Sequence, residues 1–251
     1  MLDVEYAQLS HSSRTRDSGQ CFASVTPKSA EQTRTHGWMF ALADEIESQG
    51  ENTARRTLAL ETVSLGFVSA SPYELHRALL PRLIQHANAK LLHTAQAGNP
   101  IAFLACALRS DCAVVSHVGD LRCYLVRRSH AELLTRDHTM ANDQRRLGSV
   151  LHSETNRSGV REPVSRSLGS QVFVAVDVTE RQIMAGDVLV ICSYGLYTCV
   201  PEMDMELIIS DNRDVKLAAR ELVAAAATSP RRESISVQVI RIGESKSQTS
   251  I

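Results

Sequence analysis

The order of apolar and polar positions predicts a chain built mainly of strands, with a few helices between them. Val188–Cys192 is an unbroken apolar run after a Gly-Asp turn, a pattern typical of a strand buried on both faces. Because the end of such a strand is held rigidly, Tyr194 just beyond it is a position that can decide function. Further apolar or alternating runs predict strands at residues 4–9, 20–26, 37–43, 101–108, 112–118, 121–127, 131–134, 172–178 and 234–242.

Helical spacing occurs in three places. Residues 52–67 place apolar side chains three or four positions apart, and residues 215–227 are rich in Ala and Leu. Residues 72–97 repeat Leu or Ala every four positions, with Ser71 as the N-cap and Pro72 as the first helical residue. These three stretches are the predicted helices.

The remaining polar stretches and the short connections complete the expected architecture. We expect residues 27–36 to form a loop and residues 141–164 an arginine-rich surface flap. Short turns join the three strands within residues 101–127, which predicts an antiparallel meander. Helices grouped outside antiparallel strands indicate an α+β fold in which helices cover stacked sheets. We expect one domain over residues 1–243, followed by a polar tail at residues 244–251.

Composition and charge exclude several classes of function. The 251 residues carry a net charge of −1 and have an isoelectric point near 6.8, which gives no electrostatic case for a nucleic acid or an anionic membrane as partner. No apolar run reaches the roughly 20 residues of a membrane span, and the N-terminal residues lack a signal-peptide core, so we expect a cytoplasmic protein. The six cysteines include no CxxC pair, which favours buried free thiols over disulfides or a zinc site.

Five short stretches occur in an order and spacing that resemble one enzyme family. They are residues 16–25 (RDSGQCFASV), 40–45 (FALADE), 116–124 (SHVGDLRCY) with 133–138 (LLTRDH), 165–169 (SRSLG) and 185–196 (AGDVLVICSYGL). Together they resemble the PPM-type metal-dependent serine/threonine protein phosphatases, the protein phosphatase 2C class, over about residues 10–240. The resemblance implies a four-layer α-β-β-α sandwich, in which two antiparallel sheets are flanked by helices and the site lies at one end.

The chemistry that this resemblance implies needs a set of hard oxygen ligands. Such phosphatases use two Mg²⁺ or Mn²⁺ ions and a bridging water that attacks phosphoserine or phosphothreonine. Carboxylate and carbonyl oxygens are the ligands that these ions prefer. The resemblance places the phosphate-binding residue on Arg16 and retains two metal-ligating acids, Asp44 and Asp120.

Other ligand positions carry residues that do not suit these ions. The acid of the opening strand falls on Cys21, preceded by the neutral Gln20, and the aspartate after the central strand is replaced by Tyr194. Cysteine is a soft ligand, and a tyrosine hydroxyl with a pKa of about 10 is neutral near pH 7. Glu45 replaces a glycine whose carbonyl the family uses, and Glu233 falls at the final acid position. We interpret Tyr194 as filling the vacated metal cavity, and we consider a pair between Glu45 and a nearby arginine.

These replacements predict a member of the family that has lost its catalytic activity. We expect a protein-binding or regulatory module without a bound metal, which would need Mg²⁺ or Mn²⁺ only if activity remained. Its partner would be a protein, such as a phosphoprotein or a kinase, contacted through the flap. The alternative is a weakly active Mg²⁺- or Mn²⁺-dependent phosphatase that uses Asp44, Asp120 and Glu233. A third possibility is a regulatory or scaffolding domain with no connection to phosphate.

Overall fold

Two antiparallel sheets stacked face to face form the centre of the molecule. The computed structural model describes residues 2–11, 21–46, 53–94, 99–147, 161–229 and 233–243. The first sheet is ordered β1 (Asp3–His11), β10 (Ile235–Gly243), β9 (Val188–Cys192), β6 (Arg122–Arg127) and β7 (His130–Leu133). The second sheet is ordered β2 (Phe22–Val25), β3 (Trp38–Glu45), β4 (Ile101–Arg109), β5 (Cys112–Val118) and β8 (Asp177–Gln182).

Helices cover the outer faces of both sheets. The helices of the described residues are α1 (Ala30–Thr35), α2 (Thr53–Val68), α3 (His76–His93), α4 (Met140–Arg146), α5 (Tyr194–Tyr197), α6 (Glu202–Asp211) and α7 (Val215–Ala227), and of these α2, α3 and α7 contribute most to the buried clusters. Phe67 of α2 shares a buried apolar cluster with Phe103 of the second sheet, and Leu222 of α7 shares another with Val239 of the first sheet. A third cluster, which includes Leu104, fills the space between the sheets. The predicted α-β-β-α sandwich is therefore confirmed.

Strong apolar periodicity located most of the elements correctly. α7 begins and ends where the sequence predicts, and α2 differs from its prediction by one residue at each end. All residues of β9 are buried, as the unbroken apolar run predicts. The six cysteines are free thiols, and four of them are buried. Among the helices that the structure describes, none has both the length and the apolar character needed to cross a membrane.

The three strands of residues 101–127 do not form the predicted meander. β4 and β5 pair in the second sheet, but the Gly119-Asp120 turn carries the chain across the sandwich to β6 in the first sheet. Gly119 has a φ of +101°, and a Cβ at this position would lie 2.6 Å from the Cβ of Ala102. The prediction was wrong because a short connection has the same sequence features whether it returns within a sheet or crosses to another.

Local hydrogen bonds explain two further differences in helix position. Residues 27–36, predicted as a loop, contain α1, because the Ser29 side chain accepts a hydrogen bond from the N–H of Gln32 and caps the helix. α3 begins at His76 rather than at Pro72. The preceding residues form a turn in which the N–H of Glu74 donates to the carbonyl of Ser71.

The predicted strand at residues 172–178 is displaced toward the C terminus, where β8 lies. Gln85 of α3 donates to the carbonyl of Val172 and accepts from the N–H of Val174, so these backbone groups are not available for strand pairing. The periodicity predicts neither α6 nor α4, which forms the first part of the flap. Residues 148–160 of the flap and the tail at residues 244–251 lie outside the described residues.

Candidate functional site

One end of the sandwich brings together strand ends from both sheets. In the second sheet β3 ends and β4 begins at this end, and the Gly119-Asp120 turn crosses it after β5. In the first sheet β9 ends and β6 begins here, which brings Tyr194 to the same place. Asp44, Asp120 and Tyr194 therefore lie at one end of the molecule.

The guanidinium of Arg161 joins the Gly-Asp turn to the end of β3. Its Nε and Nη2 donate to the two carboxylate oxygens of Asp120, each at 2.8 Å. Its Nη1 donates to the backbone carbonyls of Glu45 at 3.3 Å and Ile46 at 3.0 Å. Only 14 % of the Arg161 side chain and 1 % of the Asp120 side chain are exposed. Such a bidentate, charge-assisted pair is strong and geometrically specific.

The side chain of Asp44 is a second buried acid at this end of the sandwich, and it interacts electrostatically with this guanidinium. Burial raises the pKa of Asp44 to about 6. The attraction of Arg161 opposes this rise, and repulsion from Asp120 adds to it. For Arg161, burial is the largest influence and lowers the pKa, but nearby groups, chiefly the carboxylates of Asp120 and Asp44, more than offset that effect. Arg161 therefore attracts both carboxylates, and Arg56 also attracts that of Asp44.

Two tyrosines and a second arginine complete the cluster at this end. Tyr194 begins α5, and the guanidinium carbon of Arg161 lies 4.8 Å from the centre of its ring. The Tyr197 ring meets Tyr194 edge to face at 5.6 Å and lies 3.8 Å from the guanidinium of Arg122. Arg122 also donates to both carboxylate oxygens of Asp137. Both cations are thus held by a carboxylate and an aromatic face.

Polar side chains also support the Gly-Asp turn. The N–H of Gly119 donates to Nδ1 of His138 at 3.1 Å, and Nε2 of His138 lies 3.2 Å from a carboxylate oxygen of Asp177. The ring of His117 stacks on that of His138 with centroids 4.6 Å apart. Burial lowers the pKa of His138 to about 4, so the ring is neutral near pH 7. A neutral ring whose Nδ1 accepts carries its proton on Nε2, which faces Asp177.

The same residues are a candidate metal group by distance. His117, His138 and Asp177 have ligand atoms within 4.8 Å of one another, and no other set of three such side chains comes together in the described parts of the chain. Binding through Nε2 of His138 would require the other tautomer, which has no acceptor for the N–H of Gly119. Asp177 is also paired with Arg166 at 2.9 Å. The contacts of His138 and Asp177 therefore support the Gly119-Asp120 turn.

Two predicted ligand positions, Cys21 and Glu45, use their side chains in other contacts. Burial raises the pKa of the Cys21 thiol, and the hydroxyl of Ser236 donates to its sulfur at 3.7 Å. The carboxylate of Glu45 accepts from Asn99 at 3.0 Å and lies 3.8 Å from the guanidinium of Arg56. Glu45 therefore has the arginine partner that we considered, and its carboxylate is held by that contact.

The remaining predicted positions are Glu233, Arg16 and Gln20. One residue of the site, Arg161, was not predicted. Glu233 is half-buried next to Gly195. Arg16 and Gln20 lie outside the described residues. The sequence alone predicts no role for Arg161, which lies within the predicted polar flap. Arg161 is 41 positions from Asp120, and no local pattern indicates which arginine of the flap reaches that acid.

Comparison with known proteins finds similarity to one family. The family model described as protein phosphatase 2C matches residues 83–235, more than half of the chain. The serine/threonine phosphatase stp of Listeria innocua is 26 % identical over 166 residues. That alignment covers 64 % of this chain and 66 % of the relative, so it spans slightly less than two thirds of the relative's length.

Solved structures share the fold over nearly the full length of the chain. The serine/threonine phosphatase of S. agalactiae has a TM-score of 0.82 at 20 % identity, over 96 % of this chain and 100 % of that one. The catalytic domain of the serine/threonine protein phosphatase PstP, solved in complex with two manganese ions, has a TM-score of 0.75 at 20 % identity, over 97 % and 100 %. At these identities the likeness shows the fold alone.

Proposed function

Because the chain belongs to the protein phosphatase 2C family, we propose that it uses the family fold as a catalytically inactive, protein-binding module. One observation carries the proposal. The Arg161 guanidinium binds both carboxylate oxygens of Asp120 and two carbonyl oxygens at the end of β3. The oxygen atoms that a metal ion would need are therefore already bound to a cation of the chain itself.

The donor set around Arg161 does not suit a pair of Mg²⁺ or Mn²⁺ ions. Such ions need several carboxylate and carbonyl oxygens that are free to coordinate. Both oxygens of Asp120 are bound to Arg161, and an aromatic ring stands at Tyr194. Burial keeps the Cys21 thiol protonated. Without the ions, the attacking water is not activated and the leaving oxygen is not stabilised, so we propose that the protein works without a metal.

For the partner we propose a protein that carries phosphoryl groups, such as a phosphoprotein or a kinase. α4 in the flap exposes Arg145 and Arg146 in its last turn. Arginine forms bidentate hydrogen bonds with phosphate, so an exposed pair of guanidinium groups favours such a partner. The side chain of Arg145 also donates to Asn142 at 2.7 Å, which orients it along the helix.

A hydrolysis assay distinguishes this proposal from an active phosphatase. The wild-type protein and the Asp44→Ala variant are compared on p-nitrophenyl phosphate and on a phosphothreonine peptide, in Mn²⁺ and in chelator. We expect equal rates from both proteins and no dependence on Mn²⁺. Turnover that requires Mn²⁺ and disappears in Asp44→Ala would contradict the proposal.

One observation favours the alternative, a weakly active Mg²⁺- or Mn²⁺-dependent phosphatase. The two retained acids, Asp44 and Asp120, still converge on one cation. If a substrate displaced the Arg161 side chain, both carboxylates and the Glu45 carbonyl would become available, with Glu233 as a further acid. The hydrolysis assay above detects this outcome directly.

A further inference from the structure

The Arg161 guanidinium lies among oxygen atoms. It donates to two carboxylate oxygens of Asp120 and to the carbonyl oxygens of Glu45 and Ile46, at 2.8–3.3 Å. The buried carboxylate of Asp44 adds a second negative charge. Carboxylate and carbonyl oxygens are the ligands that hard divalent cations take in proteins. The guanidinium thus holds the kind of oxygen shell that such an ion would otherwise hold.

An arginine–aspartate pair does not by itself create this shell, as a second pair shows. Arg127 donates to both carboxylate oxygens of Asp187 at 2.8 and 2.7 Å, and the Asp187 side chain is also only 1 % exposed. Arg127 has one further carbonyl acceptor, that of Gln182. The other acid near Arg127 is Glu132, whose side chain is 47 % exposed. The buried second carboxylate is therefore a feature of the Arg161 end.

We propose that the Arg161 side chain is a built-in replacement for a divalent cation, so that its removal turns this end of the sandwich into a binding site for Mn²⁺ or Mg²⁺. Two buried carboxylates repel each other, and a nearby cation offsets the energy of that repulsion. When the guanidinium is removed, the Asp120 carboxylate and the two carbonyls lose the cation that binds them, and Asp44 keeps only the weaker attraction of Arg56. A divalent ion of the size and ligand preference of Mn²⁺ meets that need.

This inference rests on the proposed function in one respect, that the wild-type protein holds no metal. Its test measures binding and stability, so it does not depend on any turnover. The wild-type protein, Arg161→Ala and Arg127→Ala are compared by thermal unfolding in MnCl₂ and in EDTA, and by titration calorimetry with MnCl₂. Arg127→Ala is the matched control, because it also removes an arginine from a buried aspartate.

We expect Mn²⁺ to stabilise Arg161→Ala only. At about ten times the dissociation constant, Mn²⁺ should raise the melting temperature of this variant by about 4 °C and leave those of the other two proteins unchanged. A folded Arg161→Ala protein with no heat of Mn²⁺ binding would overturn the inference. Binding of equal strength by wild type or by Arg127→Ala would overturn it as well.

The test still gives an answer if the Arg161→Ala variant does not fold. If Arg161→Ala is unfolded in EDTA, recovery of the folded signal on addition of Mn²⁺ supports the inference. If it stays unfolded with Mn²⁺, Arg161→Gln decides, because its neutral amide keeps much of the side-chain volume. A rise in its melting temperature with Mn²⁺ supports the inference, and no rise overturns it. Failure of the proposed function is a different result, namely Mn²⁺-dependent turnover by the wild-type protein.

Discussion

Two arginine–aspartate pairs lie at opposite ends of the paired strands β6 and β9. Asp187 directly precedes β9 and binds Arg127, the last residue of β6. Asp120 lies just before β6 at the other end and binds Arg161. Both aspartate side chains are 1 % exposed and both guanidinium groups are bidentate. The pairs differ in their surroundings, since 33 % of the Arg127 side chain is exposed but only 14 % of the Arg161 side chain.

The comparison shows that the same kind of ion pair has two different structural roles. Asp187 also accepts from the N–H of Met184, so it organises the turn that leads into β9. Asp120 has Asp44 beside it, and the cation bound to it also holds the backbone at the end of β3. The first pair closes a turn. The second lies where the resemblance to metal-dependent phosphatases places metal ligands, and we propose that it stands in for the metal.

The largest effect we expect is the loss of stability in Arg161→Ala. The substitution leaves the Asp120 carboxylate buried without its partner and beside a second acid. Breaking a buried ion pair in this way costs about 3–5 kcal/mol of unfolding free energy. Urea unfolding of the wild-type and variant proteins in EDTA measures the difference.

Arg127→Ala provides the control for that measurement. Because a third of the Arg127 side chain is exposed, solvent screens this pair and the loss should be smaller, about 2 kcal/mol. A loss in Arg127→Ala as large as that in Arg161→Ala would show that the surroundings of the two pairs do not matter. The comparison between the two ends would then fail.

We expect a smaller loss of folding stability at acidic pH, caused by a histidine at the end of the sandwich opposite Arg161. His76 lies beside the β4–β5 hairpin, where it lines a cavity of about 330 Å³ with Arg109 and Cys112. Burial, together with the charge of Arg109, lowers the pKa of His76 to about 4. The unfolded chain takes up this proton near pH 6.5, so stability is lost as the pH falls from about 6.5 toward 4. Between pH 7 and pH 5 the loss is about 2 kcal/mol.

His76→Gln should remove that part of the pH dependence. The difference in unfolding free energy between pH 7 and pH 5, measured with urea, should be about 2 kcal/mol smaller than in wild type. The matched control is His86→Gln, which replaces an exposed histidine of the same helix, α3. An unchanged pH response in His76→Gln would contradict the prediction.

The smallest effect we expect is that of Tyr194→Asp on hydrolysis. This substitution restores one carboxylate at the end of β9, but the Cys21 thiol, the Glu45 side chain and the Arg161–Asp120 pair all remain. The rate on p-nitrophenyl phosphate with Mn²⁺ should therefore stay at that of wild type. Substantial turnover from this single change would mean that the other replacements matter less than we propose.

The sequence predicted those elements whose position follows from the spacing of apolar residues along the chain. β9 is buried along its whole length, and α7 has the predicted bounds, because apolar spacing reports directly which face of an element is covered. The five motifs led to the right family and the right sandwich. The Gly119-Asp120 turn was assigned wrongly, because a short turn has the same sequence features whether the chain stays in one sheet or crosses to the other.

By itself, the sequence determined that the chain is a protein phosphatase 2C family member and that Cys21 and Tyr194 stand where the resemblance expects acids. Residue types at given positions are sufficient for such statements. Only the tertiary structure decided which cation binds Asp120. Arg161 is 41 positions from Asp120 along the chain, and contacts over that distance depend on how the sheets stack, which no local period specifies.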